Sequence, residues 1–229
     1  MTSEKYRVMA EERMTEKQEE IREAKKQLRR RIRERLRSLP ADYVRTAGMD
    51  IQGQILSSAR YHKAESIFLF VSMPKETPTD RILRQALADG KKVYVPKCGA
   101  KEMQAVRIRN IGHLYPGMLG ILEPSDCSET VKAEELDLIL VPCLAAAPDG
   151  RRLGHGGGYY DRFLEGHTEN AVCLCFRRMF CDEIPMDQYD VPMPCVITER
   201  ENTETENTET ENTETGKAAE KEEEREDRQ

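Results

Sequence analysis

Nowhere does this 229-residue chain approach the ~18 or more consecutive apolar residues that a membrane span needs. Its N-terminus is charged where a secretory leader needs an apolar run, so a cytoplasmic protein is expected. There is no C-x-x-C, and the 4 histidines do not cluster, so no zinc ligand set assembles in the sequence. The 7 cysteines are odd in number and irregularly spaced. Cys143, Cys173, Cys175 and Cys195 lie in apolar runs, as reduced core thiols do, and disulfides are not expected. Cys173 and Cys175 are expected to share one strand face. No G-K-[ST] occurs, which excludes a Walker loop.

Charged residues make up 34% and mean hydropathy is -0.71, which is too polar for one compact globule throughout. The excess sits at the ends. Residues 201 to 215 read ENTET three times over and residues 216 to 229 read GKAAEKEEEREDRQ, composition that builds no core. That tail holds twelve acidic and four basic side chains, so of the total of -6 the tail carries -8 and the body +2. Residues 1–20 are a charged extension, either unstructured or continuing the helix that follows; residues 21–199 suit one domain; residues 200–229 are expected to be a disordered acidic tail.

Within the body, Ile21, Ala24, Leu28, Ile32, Leu36 and Leu39 recur every three or four positions until Pro40, which predicts an amphipathic helix with basic outer faces. A second helix is expected from about Asp42 to Arg60, burying Val44, Ile51, Ile55 and Leu56. Ser66 to Val71, a helix from about Thr79 to Ala88, and Lys92 to Pro96 read as strand, helix, strand. Further strands are expected at Met103 to Ile108, Leu136 to Pro142, Ala171 to Phe176 and Cys195 to Thr198. Leu136 to Pro142 is apolar but for Asp137, as suits a strand covered on both faces. The fold class is α/β, a three-layer α/β/α domain on a largely parallel or mixed sheet.

After that apolar strand the chain reads CLAAAPDGRRLGHGGGYYDRFLEG, with glycines at positions 150, 154, 156, 157 and 158. Glycine permits positive φ and close approach of backbone N–H groups, so such a loop before a helix is suited to phosphate. A flexible surface turn is the plainer reading. Arg151 and Arg152 add cationic donors, Asp161 a hard oxygen for Mg²⁺, and Tyr159 and Tyr160 flat faces for a heterocycle. Equally, the arginines suit solvent, the tyrosines a core, and Asp161 the first turn of a helix. His155 has no catalytic partner nearby in sequence and reads as a loop residue.

The string VPCLAAAPDGRRLGHGGGYYDRFL resembles the signature of the 5-formyltetrahydrofolate cyclo-ligase family, roughly V-P-G-L-A-F…G-x-R-L-G-x-G-x-G-Y-Y-D. Three further segments match in order: K-x-x-L-R at Lys25, Leu28 and Arg29; FVSMPKETPTD; and G-I-x-E-P from Gly120 to Pro124. The resemblance spans about residues 22 to 199 and implies ATP and 5-formyltetrahydrofolate as partners and Mg²⁺ as cofactor. It implies ATP phosphates bound by Lys25, Arg29, Arg152 and the loop Gly154, His155, Gly156, Gly157 and Gly158, continuing to Tyr160 and Asp161. Asp161 would also touch Mg²⁺. Met73, Glu76, Leu119 and Tyr159 correspond to the folate pocket, with Arg152 and Tyr159 nearest the chemistry. Four positions depart from the family pattern: Leu119 stands for an aromatic residue, Met179 for glutamine, Tyr189 for histidine and Cys143 for glycine.

Two other readings compete. Residues 21 to 37 hold nine basic and two acidic side chains, a helix that would suit RNA or an acidic partner. No recognised nucleic-acid module accompanies it, so nucleic acid is not the expected partner, and a solvated basic face accounts for the charge. A sugar-phosphate enzyme of similar fold would use the glycine loop but leaves K-x-x-L-R unexplained.

Overall fold

The structure is a computed structural model that describes residues 3–100, 102–117, 121–125 and 127–200, with side chains from residue 16 onward. It opens with α1 (Ser3–Arg37), so the first helix starts well before Ile21. Leu28, Ile32 and Leu39 are buried as the periodicity requires, but Ala24 is exposed and Lys25 takes the inward position. The apolar side of Ala24 is too small to hold that register against the ion pairs that Lys25 finds inside, described below. The second predicted helix divides at Ser58 into α2 (Ala41–Ser57) and α3 (Ala59–Lys63), where the Ser58 hydroxyl accepts the Tyr61 N–H at 3.1 Å. A serine that caps a new helix start interrupts the old one. Ile51 and Ile55 are fully buried, whereas Val44 and Leu56 are only half-buried.

The chain then enters β1 (Ser66–Leu69), crosses through α4 (Asp80–Ala88) and returns in β2 (Lys92–Cys98), parallel to β1. α4 closes with Lys91 N–H donating to Ala86 O and Gly90 N–H to Leu87 O, the paired bonds of a Schellman stop. β3 (Met103–Ile108) turns back antiparallel to β2. β4 (Leu114–Pro116) and β5 (Leu122–Pro124) form a separate two-stranded ribbon, and β6 (Thr130–Val131) adds an edge to β3. β7 (Leu138–Pro142) is the apolar strand, followed by the short pair β8 (Ala145–Ala146) and β9 (Arg152–Leu153), then α5 (Tyr159–Phe163), β10 (Ala171–Leu174) and β11 (Val196–Ile197).

The seven-stranded sheet has the order β11-β10-β7-β1-β2-β3-β6, with parallel pairing from β11 through β2 and antiparallel pairing beyond. Alternate residues divide its core. Ile67, Leu69, Val93, Val95, Leu138 and Leu140 pack with Leu28, Ile32, Ile51 and Ile82 from α1, α2 and α4. Phe68, Tyr94, Ile139 and Val141 face the other way, against Leu136, Leu164 and Met193 with partly buried Tyr159, Tyr160 and Phe163. The layers are therefore α/β/α but unequal: long helices cover one face, while α5, of five residues, and irregular chain cover the other. A short helix leaves loops to form much of that second layer, and those loops carry the polar residues of interest. Cys173 and Cys175 do not share a face. β10 ends at Leu174, so strand alternation does not extend to Cys175, which packs with the α1 layer while Cys173 packs with the α5 layer.

Candidate functional site

In a parallel sheet, ligands bind outside the carboxyl ends of the strands. Here β1, β2, β7 and β10 all end on that side, and the segments that follow them converge.

Beyond β1 the chain makes a tight turn in which Glu76 N–H donates to Met73 O at 3.0 Å and Met73 N–H donates to Glu76 Oε2 at 2.8 Å. Lys75 within it has φ +74°. Its Nζ donates to Arg37 O at 2.8 Å, at the end of α1. Beyond β7, the β8 and β9 pair brackets Gly150, whose φ of +86° and approach to Met193 O leave no room for a Cβ, which would lie 2.1 Å from that oxygen. Gly156 (φ +109°) and Gly158 (φ +65°) then carry the loop into α5 through left-handed conformations that other residues rarely adopt.

A carbonyl of the loop meets α1 directly. Arg29 Nε donates to Gly154 O at 2.9 Å, and the guanidinium lies over the Gly156 Cα. Burial and then the neighbouring Arg33 push its pKa down, while Asp190 acts the other way; arginine remains a cation regardless. His155 Nε2 lies 3.0 Å from Glu76 Oε1, so the residue that lacked a partner in sequence has one in a separate loop.

Arg152 is 5% exposed. Its Nη1 donates to Asp161 Oδ1 at 2.9 Å and to Val191 O at 3.3 Å, while Val191 N–H donates to the same Asp161 oxygen at 3.2 Å. Arg151 faces outward, bound to Asp149 at 2.6 Å and Ile184 O at 3.2 Å. Tyr159 OH donates to Gly99 O at 3.0 Å, beyond the end of β2, and the Arg162 guanidinium stands over its ring at 5.3 Å. Tyr160 turns inward beside Phe68, and its buried hydroxyl has no hydrogen-bond partner among the described residues. Burial, reinforced by Cys98 and Glu76, pushes that phenol's pKa well up.

Two site residues carry no mark in the sequence. Lys25 Nζ donates to Asp187 Oδ2 at 2.7 Å and also to Asp190 Oδ2. Asp190 Oδ2 accepts the Asp187 N–H at 2.6 Å, so both carboxylates are organised around one buried ammonium. They lie 162 and 165 positions from Lys25, and no motif or spacing around them singles them out. Of the four departures, Met179 is 1% exposed in the α1-side core, Cys143 donates its thiol to Leu174 O at 3.4 Å, and Tyr189 is 72% exposed beside the Lys25 cluster. Leu119 lies outside the described residues.

Among the described residues no three His, Cys, Asp or Glu side chains group so as to hold a metal by themselves. A carboxylate such as Asp161 nonetheless fits Mg²⁺, which takes one or two carboxylates and completes its shell with phosphate oxygens and water. The arrangement as a whole gathers cations and carboxylates at the glycine loop.

The model of the 5-formyltetrahydrofolate cyclo-ligase family matches residues 21–199. The chain belongs to that family. It is therefore an enzyme of the ligase class. It is 34% identical over 163 residues to a probable 5-formyltetrahydrofolate cyclo-ligase from Caenorhabditis elegans, covering 65% of this chain and 79% of that one. To the mouse (Mus musculus) 5-formyltetrahydrofolate cyclo-ligase it is 28% identical over 178 residues, covering 72% and 88%. Its fold is similar to the solution structure of the Aquifex aeolicus 5,10-methenyltetrahydrofolate synthetase, with a TM-score of 0.68 and 25% identity over 77% of this chain and 92% of that one. Family membership covers every candidate residue above and none of residues 200–229.

Proposed function

We propose that the chain closes 5-formyltetrahydrofolate to 5,10-methenyltetrahydrofolate with consumption of ATP, releasing ADP and phosphate. In this reaction the formyl oxygen attacks the γ-phosphorus and the bond to ADP breaks. The resulting iminium phosphate is attacked at carbon by N10, and phosphate leaves as the five-membered ring closes. Phosphoryl transfer of this kind depends on positioning and charge neutralisation, with no nucleophilic side chain required.

The observation that supports the reading is the meeting of two contacts at one glycine loop: Arg29 at Gly154, and Glu76 at His155. Arg29, Arg152 and the backbone N–H groups from Gly154 to Gly158 bind the nucleotide phosphates, with Tyr160 beside them. Lys25, already set between two carboxylates, reaches phosphate by exchanging one of them. Asp161 holds Mg²⁺ through a carboxylate oxygen, and when bound the ion neutralises phosphate charge. Met73, Glu76, Leu119 and Tyr159 form the folate side. A carboxylate at Glu76 suits the hydrogen-bond donors of a pterin ring. The cytoplasm is the proposed location; no described helix is long and apolar enough to cross a membrane.

Purified protein mixed with 5-formyltetrahydrofolate, ATP and Mg²⁺ should develop methenyl absorbance, and omission of ATP or Mg²⁺ should abolish it. Neither an RNA-binding helix nor a sugar-phosphate enzyme produces that chromophore, so its absence removes the reading. Residues 201–229 lie outside both the matched family region and the described residues. Their deletion should leave kcat and both KM values within about twofold, as expected of groups that touch no substrate. A large loss of turnover in a folded truncation would place the tail in the site.

A further inference from the structure

We propose that His155 is a positioning residue for the folate substrate: through Nε2 it holds the Glu76 carboxylate in place and ties the glycine loop to the folate pocket. The inference rests on the reading of Glu76 as a substrate contact given above.

Glu76 is presented by the tight turn beyond β1. Lys75 is the one non-glycine among the described residues with positive φ, a conformation that persists only where neighbouring contacts hold it. Three side-chain contacts of Lys75 and Glu76 do so. Lys75 Nζ anchors the turn to Arg37 O, Glu76 Oε2 accepts the Met73 N–H, and Glu76 Oε1 meets His155. The first two fix the turn itself. The third reaches across to the glycine loop and fixes the direction of the carboxylate's second oxygen.

His155 stands within the proposed phosphate loop, between Gly154, whose carbonyl accepts from Arg29, and Gly156, which the Arg29 guanidinium approaches. α1 thus reaches one loop through Arg29 and the other through Arg37, and the contact of His155 with Glu76 completes a closed circuit of three segments. The Glu76 side chain is 13% exposed and that of His155 41%. A half-exposed pair of this kind contributes little to global stability. Its value lies in orientation. Each carboxylate oxygen accepts more than one hydrogen bond, so Glu76 keeps acceptor capacity for a ligand while His155 holds it. Imidazole donates from Nε2 in the cation and in the Nε2–H tautomer alike.

The test combines kinetics, direct titration with 5-formyltetrahydrofolate and thermal melting on the full chain. His155→Ala should raise both KM and Kd for 5-formyltetrahydrofolate roughly tenfold, the scale of one charge-assisted hydrogen bond, and leave KM for ATP within about twofold. His155→Gln, which retains a donor at that reach, should recover most of the affinity. In a Glu76→Gln background, where the acceptor carries no charge, the His155→Ala effect should shrink to about threefold or less. The melting temperature should stay within ~2 °C of wild type. Unchanged folate affinity in His155→Ala, a main effect on KM for ATP, or full additivity with Glu76→Gln would each overturn the assignment. Wild type that binds 5-formyltetrahydrofolate but forms no methenyl product overturns the proposed reaction and leaves the latch to be judged by the titrations. Wild type that does not bind it overturns both.

Discussion

Arg152→Ala is expected to lower kcat by about 100- to 1,000-fold while weakening ground-state binding of either substrate far less, the pattern of a lost transition-state donor. As the γ-phosphoryl group moves from ADP to the formyl oxygen, negative charge spreads over its equatorial oxygens. A guanidinium held in place neutralises it with no reorganisation. Arg152 is held: its Nη1 is fixed between Asp161 Oδ1 and Val191 O, and the side chain is 3% exposed. The planar fork carries further N–H donors beyond Nη1. The same pairing sets a second consequence, because removing the arginine leaves the Asp161 carboxylate without its cation. Arg152→Lys should restore charge but not the fork, and recover part of the loss. Arg151 pairs outward with Asp149 and Ile184 O, and Arg151→Ala should change kcat by less than about threefold. Steady-state kinetics of the three variants, with folding checked by circular dichroism, decide the matter. Equal, mild effects at positions 151 and 152 would sink the role given to Arg152.

The second large effect falls on stability. Lys25→Ala removes the one ammonium between Asp187 and Asp190, whose side chains are 29% and 17% exposed against 9% for the lysine. Breaking such a partly buried cluster from one side costs about 3–5 kcal/mol, because the carboxylates remain without their counter-ion. For a body of this size that lowers Tm by roughly 6–20 °C. The pH dependence has a definite sign. Burial alone would raise the Asp187 pKa, but the hydrogen bonds from Lys25 Nζ and the Tyr189 N–H outweigh it and hold the group below the usual carboxylate range. A carboxyl depressed in the folded state stabilises the fold above its unfolded pKa of ~3.9 and loses that contribution as pH falls through the folded value. The stability gap between wild type and Lys25→Ala should therefore be full at pH 7 and narrow below about pH 4. Denaturant titrations across that range test both magnitude and sign. A variant melting beside wild type at pH 7 would show the cluster to be energetically idle. KM for ATP should rise in the same variant.

Elements whose burial follows from local composition are legible in the sequence. The strand expected at Leu136 to Pro142 appears as β7, Leu138–Pro142, apolar because both faces are covered, and shorter at its start, where Asp137 Oδ2 accepts the Glu65 and Ser66 N–H groups. Met103 to Ile108 likewise appears as β3 with the bounds expected. Periodicity fails where small local terms compete. Ala24 and Lys25 differ in hydrophobicity in the direction that favours Ala24 inside, yet two distant carboxylates reverse the choice. Ser58 has the composition of a helix interruption but sits inside an otherwise periodic run. The β4–β5 and β8–β9 pairs are too short for period-two patterning to register.

The site divides in the same way. The glycine loop is visible because its glycines serve a local purpose, a backbone passing through left-handed φ at Gly156 and Gly158. The Glu76 and His155 contact, and the pairing of Lys25 with Asp187 and Asp190, join segments that the fold, not the sequence spacing, brings together. No spacing rule along one helix or strand encodes such a contact. The family pattern brings Lys25 and Glu76 to notice but is silent on their partners inside the protein.

Ribosomal synthesis gives the Lys25 cluster a meaning in time. Chains emerge N-terminus first, so α1 leaves the exit tunnel long before the aspartates, 162 and 165 positions later, that neutralise its buried ammonium. Until they arrive the inward face of α1 carries an uncompensated charge, and the helix has reason to stay undocked. The Arg29 tie to Gly154 spans 125 positions and cannot form early either. Closure of such long loops is slow relative to local helix formation. The nascent enzyme should thus remain inactive and protease-sensitive at α1 until residue 190 has emerged, and then mature in one late step.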